Sequence, residues 1–554
     1  MLLKDIRRRI LRILLEYGIL IMILTVGLYV WVLVFQAAVV DYLDSDYWIS
    51  RHVWLGPGVN PGEFDLFGIT IQYQFEGYSD YSFYYVHWGH NMLNGVIPYS
   101  GDFGFIEIDG ITNLNGAYMF PPLTAYLYAI GILIPVTDWG IGLLLAAFGY
   151  LTIFPVYGLG RELSGNRHVG EVAAFTYILA PNVLYHTTFL WMNPSPFIFF
   201  FFCGFYMLVR GSRHVGTLLI VTAALFKQTA WLLGIPLVVF LLMKARSPKT
   251  EAEESTPESR ANESDDNQKA SEEDRPPKPN RMDGIIAFVN EYIDYRGFTI
   301  SVILVLGFAG AVMYPFLVAQ PDIWNFLRLA FGGFPLESFI ELPGYGSPIR
   351  LQALFVVAGL PNLAEIADLF VYSGGLLIMG VIVFWGIMVM EPKHQGKRRV
   401  YLRRLLFFTL LMMLWINIAG PRGVFKYYFT LFAPFFSIFS STTMCTSMEE
   451  DVKLSTSMVW LPFLFSIMIL IPTRNIYLAY VIVIFAGYLL SKKAGRIWYH
   501  ATYPVRFVKR QISPRLDPLK ARLSSPKQRI LFYAYGELMA SAPDEQGKAA
   551  MAEA

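Results

Sequence analysis

The chain has 554 residues, of which 55% are hydrophobic, 16% aromatic and only 16% charged, and its mean hydropathy is +0.45. Soluble globular domains carry about 25% charged residues, so the composition excludes an ordinary soluble protein. The two cysteines, Cys203 and Cys445, lie in apolar runs and do not indicate a disulfide framework.

The N-terminus is basic and is followed by a long apolar run. Its basic residues are Lys4, Arg7, Arg8, Arg9 and Arg12. Such clusters favour the cytoplasmic side of a membrane. The apolar run at 17–40 has 24 residues, which is longer than the core of a signal peptide. We therefore predict an uncleaved first transmembrane helix that leads the chain outside.

The segment 41–120 is then a long first external loop. It holds a single Lys or Arg, Arg51, against many acids, and it is rich in Gly, Tyr and Pro. This composition predicts an ordered loop with short amphipathic helices. Within the loop, Asp80 precedes apolar residues at helical spacing, which indicates that a helix begins there.

Further apolar segments complete a first membrane block at 1–246. The segment 121–135 is shorter than the roughly 20 residues that a transmembrane helix needs. The later basic turns lie on the cytoplasmic side only if this segment does not cross the membrane. We predict a half-inserted or re-entrant helix there. The segment 215–243 has 29 residues with Lys227 near its middle. One helix of that length would extend about 43 Å, so two short arms that meet near Lys227 are predicted.

A low-complexity segment, 247–282, separates this block from a second one. It is rich in Glu, Asp, Ser, Asn, Lys and Pro, with almost no large apolar residue, which predicts a disordered cytoplasmic linker. The second block, 283–490, contains a second external loop at 320–366. The tail, 491–554, carries eleven basic residues and one acid in its first 39 positions. This excess of positive charge predicts that the tail is cytoplasmic and lies on anionic lipid.

Together these segments predict an all-α polytopic membrane protein. The apolar runs and the basic loops fit about twelve transmembrane helices with both termini in the cytoplasm. A plasma membrane, with the external loops on its outer face, is the expected location, and the cell is expected to be prokaryotic.

The first external loop carries a recognisable pattern. Asp80 is followed by Tyr81, Trp88, a Gly-x-x-Pro-Tyr run at 95–99, and a Tyr-Met-Phe-Pro-Pro-Leu-Thr-Ala-Tyr run at 118–126. This pattern resembles the first external loop of polyprenyl-phosphate-sugar-dependent membrane glycosyltransferases of the GT-C superfamily. Within that superfamily it is similar to the dolichyl-phosphate-glucose transferases of N-glycan assembly and to the mannosyltransferases that build phosphatidylinositol mannosides.

The resemblance implies the GT-C fold and a catalytic role for Asp80. Sugar transfer from a lipid phosphate requires an acceptor hydroxyl to lose its proton as it attacks. The leaving group is already a phosphodiester, so one positioned carboxylate is sufficient as a general base, and neither a cofactor nor a metal is expected. The alternative is that Asp80 only caps its helix. The chain departs from the glucosyltransferases at Met119, where they have an Asp.

Cations are the expected binding groups for the donor phosphate. Lys227 and Gln228 match a Lys-Gln or Lys-Pro pair that similar transferases carry in a short apolar hairpin. A Lys at the centre of a span costs about 2.5–3.5 kcal/mol, so a phosphate partner is expected; the alternative is a Lys that snorkels to the interface. Arg422 and Lys426, about one turn apart, are expected to bind the same phosphate or, alternatively, to anchor lipid headgroups.

Substrate contacts are expected from further aromatic and polar residues at external helix ends. We predict this role for Trp88, Tyr99, Asn193, Tyr427 and Gln228. His87 and His90 flank Trp88 at i, i+3, but no second pair of ligands supports a metal site, and none is predicted.

The predicted activity is transfer of a hexose, mannose or glucose, from a polyprenyl-phosphate carrier. The acceptor is expected to be lipid-linked or close to the membrane, and the partners are therefore the sugar donor, this acceptor and membrane lipids, without nucleic acid. Two alternatives remain, a transporter or flippase of lipid-linked sugars and an inactive scaffold of the same fold. The long aromatic loop with its helix-leading acid, and the absence of an inverted repeat, favour the transferase.

Overall fold

The computed structural model describes only part of the chain. The described residues are 2–44, 62–73, 75, 80–99, 107–108, 111–112, 118, 120–227, 234–242, 294–319, 358–363, 366, 398–419, 425–442, 444, 452, 454, 459–472 and 474–493. The predicted linker at 247–282, most of the second external loop at 320–366 and most of the tail at 491–554 lie outside them.

The described chain is mostly helical. The helices before the linker are α1 (Leu2–Asp44), α2 (Val86–Leu93), α3 (Pro122–Leu133), α4 (Gly140–Leu151), α5 (Ile153–Ser164), α6 (Arg167–Ile178), α7 (Pro181–Val183), α8 (Pro194–Arg210), α9 (Arg213–Phe226) and α10 (Gly234–Leu242). The helices after it are α11 (Tyr295–Ala319), α12 (Arg398–Ala419), α13 (Phe432–Ser440), α14 (Leu461–Ser466) and α15 (Arg474–Lys493). Two π-helical turns, Tyr81–Tyr85 and Leu184–Phe189, and two 3₁₀ turns, Lys426–Leu431 and Ile467–Leu470, interrupt this pattern.

Three helical stretches are long and apolar enough to cross a membrane. They are Leu11–Leu43, Gly140–Ser164 and Tyr295–Ala319. The third carries outward apolar side chains such as Ile303 and Leu306, which are 63% and 66% exposed and suit a lipid environment. Further apolar helices in the described residues are shorter, and the count of about twelve spans stays a prediction.

The described residues form two compact units. One contains α1 up to Val30 and the end of α15 from Phe485, where the rings of Phe485 and Tyr488 are 6.2 Å apart. The other runs from Trp31 to Ile484 and contains every residue of the candidate site. Within it, the indole nitrogen of Trp31 donates to the carbonyl of Ile178 at 2.8 Å and ties α1 to α6.

The predicted break near Lys227 is confirmed. Helix α9 ends at Phe226, and Lys227 is extended, with φ −150° and ψ 132°; α10 begins at Gly234. Helix α3 has 12 residues, or about 18 Å, so it is shorter than the hydrocarbon core of a bilayer. Whether α3 is half-inserted stays a prediction.

One expectation about local structure is wrong. The first external loop contains strands as well as helix: β1 (Gly62–Leu66) pairs antiparallel with β2 (Ile69–Tyr73), and a smaller pair joins β3 (Glu107–Ile108) to β4 (Ile111–Thr112). The chain is therefore not purely α-helical. The apolar segment 172–191 is divided into α6, α7 and a π-helical turn, because Pro181 cannot continue α6.

Candidate functional site

Asp80 precedes the π-helical turn Tyr81–Tyr85 but does not cap it. Its backbone is already helical, with φ −54° and ψ −36°, and its side chain makes no capping hydrogen bond. The carboxyl is half-buried, and this burial raises its pKa from 3.8 to about 6. A carboxyl whose pKa lies near neutrality is suited to accept a proton during catalysis.

This pKa predicts the pH dependence of any reaction in which Asp80 is the base. A base must be ionised, so the rate should fall as the pH drops through about 6 and reach a plateau near pH 7 and above. We expect this profile in kcat/KM for sugar transfer by the reconstituted protein. A flat profile between about pH 5 and pH 8 would remove the base assignment.

Four tyrosines in the described part of the chain lie within electrostatic range of the Asp80 carboxylate. Burial, followed by the charge of Asp80, raises the pKa of Tyr84 to about 12, so this phenol remains a neutral hydrogen-bond donor at physiological pH. The carboxylate also interacts electrostatically with Tyr85, with Tyr128 of α3 and with Tyr427. Asp80 therefore lies within electrostatic range of phenols from both predicted membrane blocks.

Lys227 contacts one of these tyrosines, Tyr427, and its neighbour Tyr428. Its ammonium lies 4.7 Å from the ring centre of Tyr428 and 5.7 Å from that of Tyr427. Both distances are within the range of cation–π attraction. Since Tyr427 interacts with Asp80 as well as with Lys227, the predicted base and the predicted phosphate-binding cation share one aromatic cluster.

The Pro-Pro-Leu-Thr motif fixes the position of Lys227. Thr124, in the first turn of α3, donates its hydroxyl to the carbonyl of Phe226 at 2.9 Å. Phe226 is the last residue of α9, so this bond holds the point at which the helix ends and Lys227 turns away. The hydroxyl of Tyr118 donates to the carbonyl of Pro121 at 3.0 Å and closes the turn that leads into α3.

Asn193 joins the site from the turn before α8. Its side-chain nitrogen lies 3.4 Å from the hydroxyl of Tyr128. Its side-chain oxygen is buried and has no hydrogen-bond partner among the described residues. A buried acceptor without a partner is costly, so Asn193 offers an acceptor for a ligand hydroxyl beside the Tyr128 phenol.

Trp191 holds the turn that presents Asn193. It is fully buried, and its φ of +52° lies in the left-handed region, which is strained for a bulky residue. Its ring packs on Tyr81 with centroids 4.8 Å apart and directly on Gly142 of α4. The Tyr81 hydroxyl also accepts a hydrogen bond from the Gly142 amide at 3.0 Å, so α4, the Asp80 turn and the Asn193 turn form one packed unit.

Because a Cβ at position 142 would overlap the Trp191 ring, we expect Gly142→Ala to destabilise the protein by about 1–3 kcal/mol, the usual range for overpacking. The measurement is the unfolding transition of the detergent-solubilised protein. Gly307→Ala in α11 is the control, since a Cβ there meets no atom within 4 Å and should be neutral or stabilising. Equal transitions for the two variants would contradict this packing.

Trp88 and Tyr99 lie in the packed core next to this cluster. Trp88 is 3% exposed, with its ring 5.1 Å from those of Tyr84 and Tyr118. Tyr99 is also 3% exposed, and its hydroxyl donates to the carbonyl of Phe120 at 2.6 Å. The structure shows supporting contacts for both residues, and their role in substrate binding stays a prediction.

Lys426 donates to backbone carbonyls, and its binding of the donor phosphate stays a prediction. It is 1% exposed, and its ammonium donates to the carbonyls of Ile469 and Ile471 at 3.1 and 2.7 Å. The same ammonium lies 5.3 Å from the ring centre of Tyr477. These contacts attach the 3₁₀ turn that carries Tyr427 to the C-terminal helices.

We expect Lys426→Met to destabilise the protein by about 1–3 kcal/mol, because a buried carbonyl and a partly buried one lose a charged donor. Lys227→Met should leave stability unchanged, since Met also packs well on aromatic rings. Thermal unfolding of the two variants side by side measures the difference. If Lys426→Met unfolds like the wild type, its carbonyl contacts are not structural.

Two predicted site residues, Gln228 and Arg422, lie outside the described residues. Within the described part of the chain, no three or more His, Cys, Asp or Glu side chains come together as a metal site; His90 instead pairs with Asp138 at 3.2 Å. The sequence reasoning missed Tyr85 and Tyr128. Tyr128 follows the matched motif by two positions, but no local pattern distinguishes it from its aromatic neighbours.

Comparison with known proteins leaves the family open. No family model and no curated protein matches the chain. Among solved structures, the chain is similar to the crystal structure of the Archaeoglobus fulgidus oligosaccharyltransferase in its apo form, at 13% identity and a TM-score of 0.35. The match covers 81% of this chain and 55% of that protein, so the chain spans about half its length. So loose an overlap does not establish a common fold.

Proposed function

We propose that the chain is an integral-membrane hexosyltransferase of the GT-C type. It moves mannose or glucose from a polyprenyl-phosphate carrier to a lipid-linked or membrane-proximal acceptor on the outer face. The observation that supports the proposal is the position of Tyr427, whose ring lies 5.7 Å from the Lys227 ammonium and whose phenol is within electrostatic range of the Asp80 carboxylate. A base and a phosphate-binding cation on one cluster are what this transfer requires.

In the proposed reaction, Asp80 takes the proton of the acceptor hydroxyl as its oxygen attacks the anomeric carbon. The bond between that carbon and the phosphate oxygen breaks, and its electron pair remains on the phosphate. The products are a new glycosidic bond, polyprenyl phosphate and a protonated Asp80. Attack from the face opposite the phosphate inverts the anomeric configuration.

Lys227 is proposed to stabilise the phosphate as its charge grows during bond cleavage. Its contacts with Tyr427 and Tyr428 support this role. Cation–π attraction contributes about 0.5–2 kcal/mol, which orients the ammonium without neutralising it. A phosphate offers the ammonium a charge-assisted hydrogen bond, which is stronger than a neutral one.

Asn193 and Tyr128 are proposed to bind hydroxyl groups of the transferred sugar. The buried side-chain oxygen of Asn193 has no hydrogen-bond partner in the described chain and can accept from a sugar hydroxyl. Tyr128 lies within the electrostatic reach of Asp80, which supports a sugar-binding role beside the proposed base. Lys426 is proposed to act indirectly, by fixing the turn that carries Tyr427.

The test uses the full-length protein in lipid nanodiscs with polyprenyl-phosphate [¹⁴C]mannose or [¹⁴C]glucose and a membrane-lipid extract as acceptor. We expect labelled glycolipid together with an equal amount of released polyprenyl phosphate. Proteoliposomes provide the second arm. Movement of the intact donor across the bilayer without release of polyprenyl phosphate would support the flippase alternative. If the protein shows neither sugar transfer nor movement of the donor, the scaffold alternative is the one that remains.

A further inference from the structure

The β1–β2 hairpin of the first external loop has one apolar face. Its register pairs Phe64 with Ile71 and Leu66 with Ile69, and alternate residues of a strand share a face. The other face carries Glu63, Asp65, Thr70 and Gln72, and the Thr70 hydroxyl donates to the Asp65 carboxylate at 2.8 Å. The hairpin therefore has one apolar face and one polar face.

The apolar face of this hairpin is exposed. Phe64 and Leu66 are 46% and 45% exposed, Ile69 is 67% exposed, and Phe67 at the tip is 96% exposed. A two-stranded hairpin is marginally stable in water on its own. Its apolar face would gain stability from an apolar environment that covers it.

The backbone conformation of the hairpin tip also indicates that the hairpin contacts something outside the chain. Phe67 and Gly68 both have positive φ, +53° and +79°, as a two-residue type I′ turn requires. Glycine adopts this geometry freely, but a phenylalanine pays about 1–2 kcal/mol for it, and Asn or Asp is preferred at that position. A strained and fully exposed aromatic ring indicates an interaction outside the chain.

Charge and position favour a lipid bilayer as that environment. Residues 62–73 contain no Lys or Arg, and both acids lie on the polar face, so the apolar face suits a neutral apolar layer. The apolar span Leu11–Leu43 ends 18 residues before the hairpin. After the hairpin, the ring of Phe75 packs 5.3 Å from that of Tyr185, in the π-helical turn that leads to Trp191 and Asn193. A five-residue strand spans about 17 Å, so the tip remains close to the turn that carries Tyr185.

We propose that the β1–β2 hairpin inserts its tip into the outer leaflet beside the candidate site. Phe67 and the face formed by Phe64, Leu66, Ile69 and Ile71 lie in the lipid interface. Glu63 and Asp65 face the water. This anchoring is independent of the proposed sugar transfer, and its test measures lipid contact rather than activity.

The test measures probe depth in nanodiscs of phosphatidylcholine with nitroxide-labelled acyl chains. The full-length protein carries Cys203→Ala and Cys445→Ala, with a bimane fluorophore on either Phe67→Cys or Thr70→Cys. We expect several-fold stronger lipid quenching and a blue-shifted emission at position 67, with weak quenching at position 70 on the polar face. Equal, weak quenching at both positions would overturn the proposal.

A second variant separates insertion from folding. Phe67→Asn suits the type I′ turn better, so the hairpin should remain folded. A bimane on Ile69→Cys should then lose most of its lipid quenching, because the apolar tip is gone. If position 69 is protected from aqueous iodide but is not quenched by lipid, a protein segment or a second copy covers this face, and the bilayer assignment is wrong.

Discussion

Replacing Asp80 by Asn is expected to lower the rate of hexose transfer by roughly two to four orders of magnitude, the range for loss of a positioned base. The amide keeps the shape of the side chain but cannot take the acceptor proton. Folding should survive, because the Asp80 side chain makes no capping hydrogen bond that the change would break. Burial disfavours the charged carboxylate, so thermal stability near pH 7 should be equal or higher. Single-turnover transfer and thermal unfolding measure the two effects.

Asp138→Asn is the matched control for this experiment. Asp138 is a second acid close to the same helix, and its carboxylate pairs with His90 at 3.2 Å in an exposed position. Exposed pairs contribute about 0–1 kcal/mol, so its loss should leave transfer close to the wild-type rate. Near-normal transfer by Asp80→Asn, or an equal loss in both variants, would contradict a specific role for Asp80.

The correct predictions rest on local sequence features, namely the length of a segment and the residues at which a helix begins or ends. The break at Lys227 follows because one helix over 29 residues is longer than a bilayer requires, and an internal Lys is costly there. The helix after Asp80 follows from the apolar spacing that begins at Phe83. Both features depend on a few neighbouring residues, which is the information that a single sequence contains.

The composition of the external loop concealed the hairpin. Its many Gly, Tyr and Pro residues favoured a loop with helices, although the alternation from Glu63 to Leu66 and from Ile69 to Tyr73 is a strand signal. The two-residue connection Phe67-Gly68 lacks the Asn or Asp that usually marks a type I′ turn. Phe67 occupies the position where Asn or Asp would have marked the turn, and Phe67 is also the residue proposed to enter the lipid.

The contacts that assemble the site lie beyond local pattern. Lys426 binds carbonyls 43 and 45 positions later in the chain, and Lys227 lies on the rings of Tyr427 and Tyr428, about two hundred positions away. Spacing along a helix predicted Lys426 as a phosphate ligand because Arg422 lies one turn before it. The carbonyls that Lys426 contacts belong to a distant part of the chain, and the spacing of Arg422 and Lys426 gives no information about them.

Lys227→Met should reduce kcat/KM for the lipid-phosphate donor by roughly 10- to 150-fold, since a hydrogen bond to a charged group contributes about 1.5–3 kcal/mol. Both donor affinity and the chemical step should weaken, because the charge on the phosphate grows as the glycosidic bond breaks. The flexible thioether of Met can pack on Tyr427 and Tyr428, so the cluster should stay intact. Initial rates over a range of donor concentrations separate the two effects.

Tyr428 supplies the matched pair of variants for this assignment. Tyr428→Phe keeps the ring under the ammonium, whose centre is 4.7 Å away, so transfer should remain near the wild-type level. Tyr428→Leu removes the ring and, by the usual strength of a cation–π contact, should lower the rate by about two- to thirtyfold. The Lys227→Met variant should be insensitive to the same Leu substitution, because no cation remains to orient. If Lys227→Met keeps both the rate and the half-saturation of the wild type, Lys227 only anchors the chain at the interface, and the flippase and scaffold alternatives become the better explanations of the site.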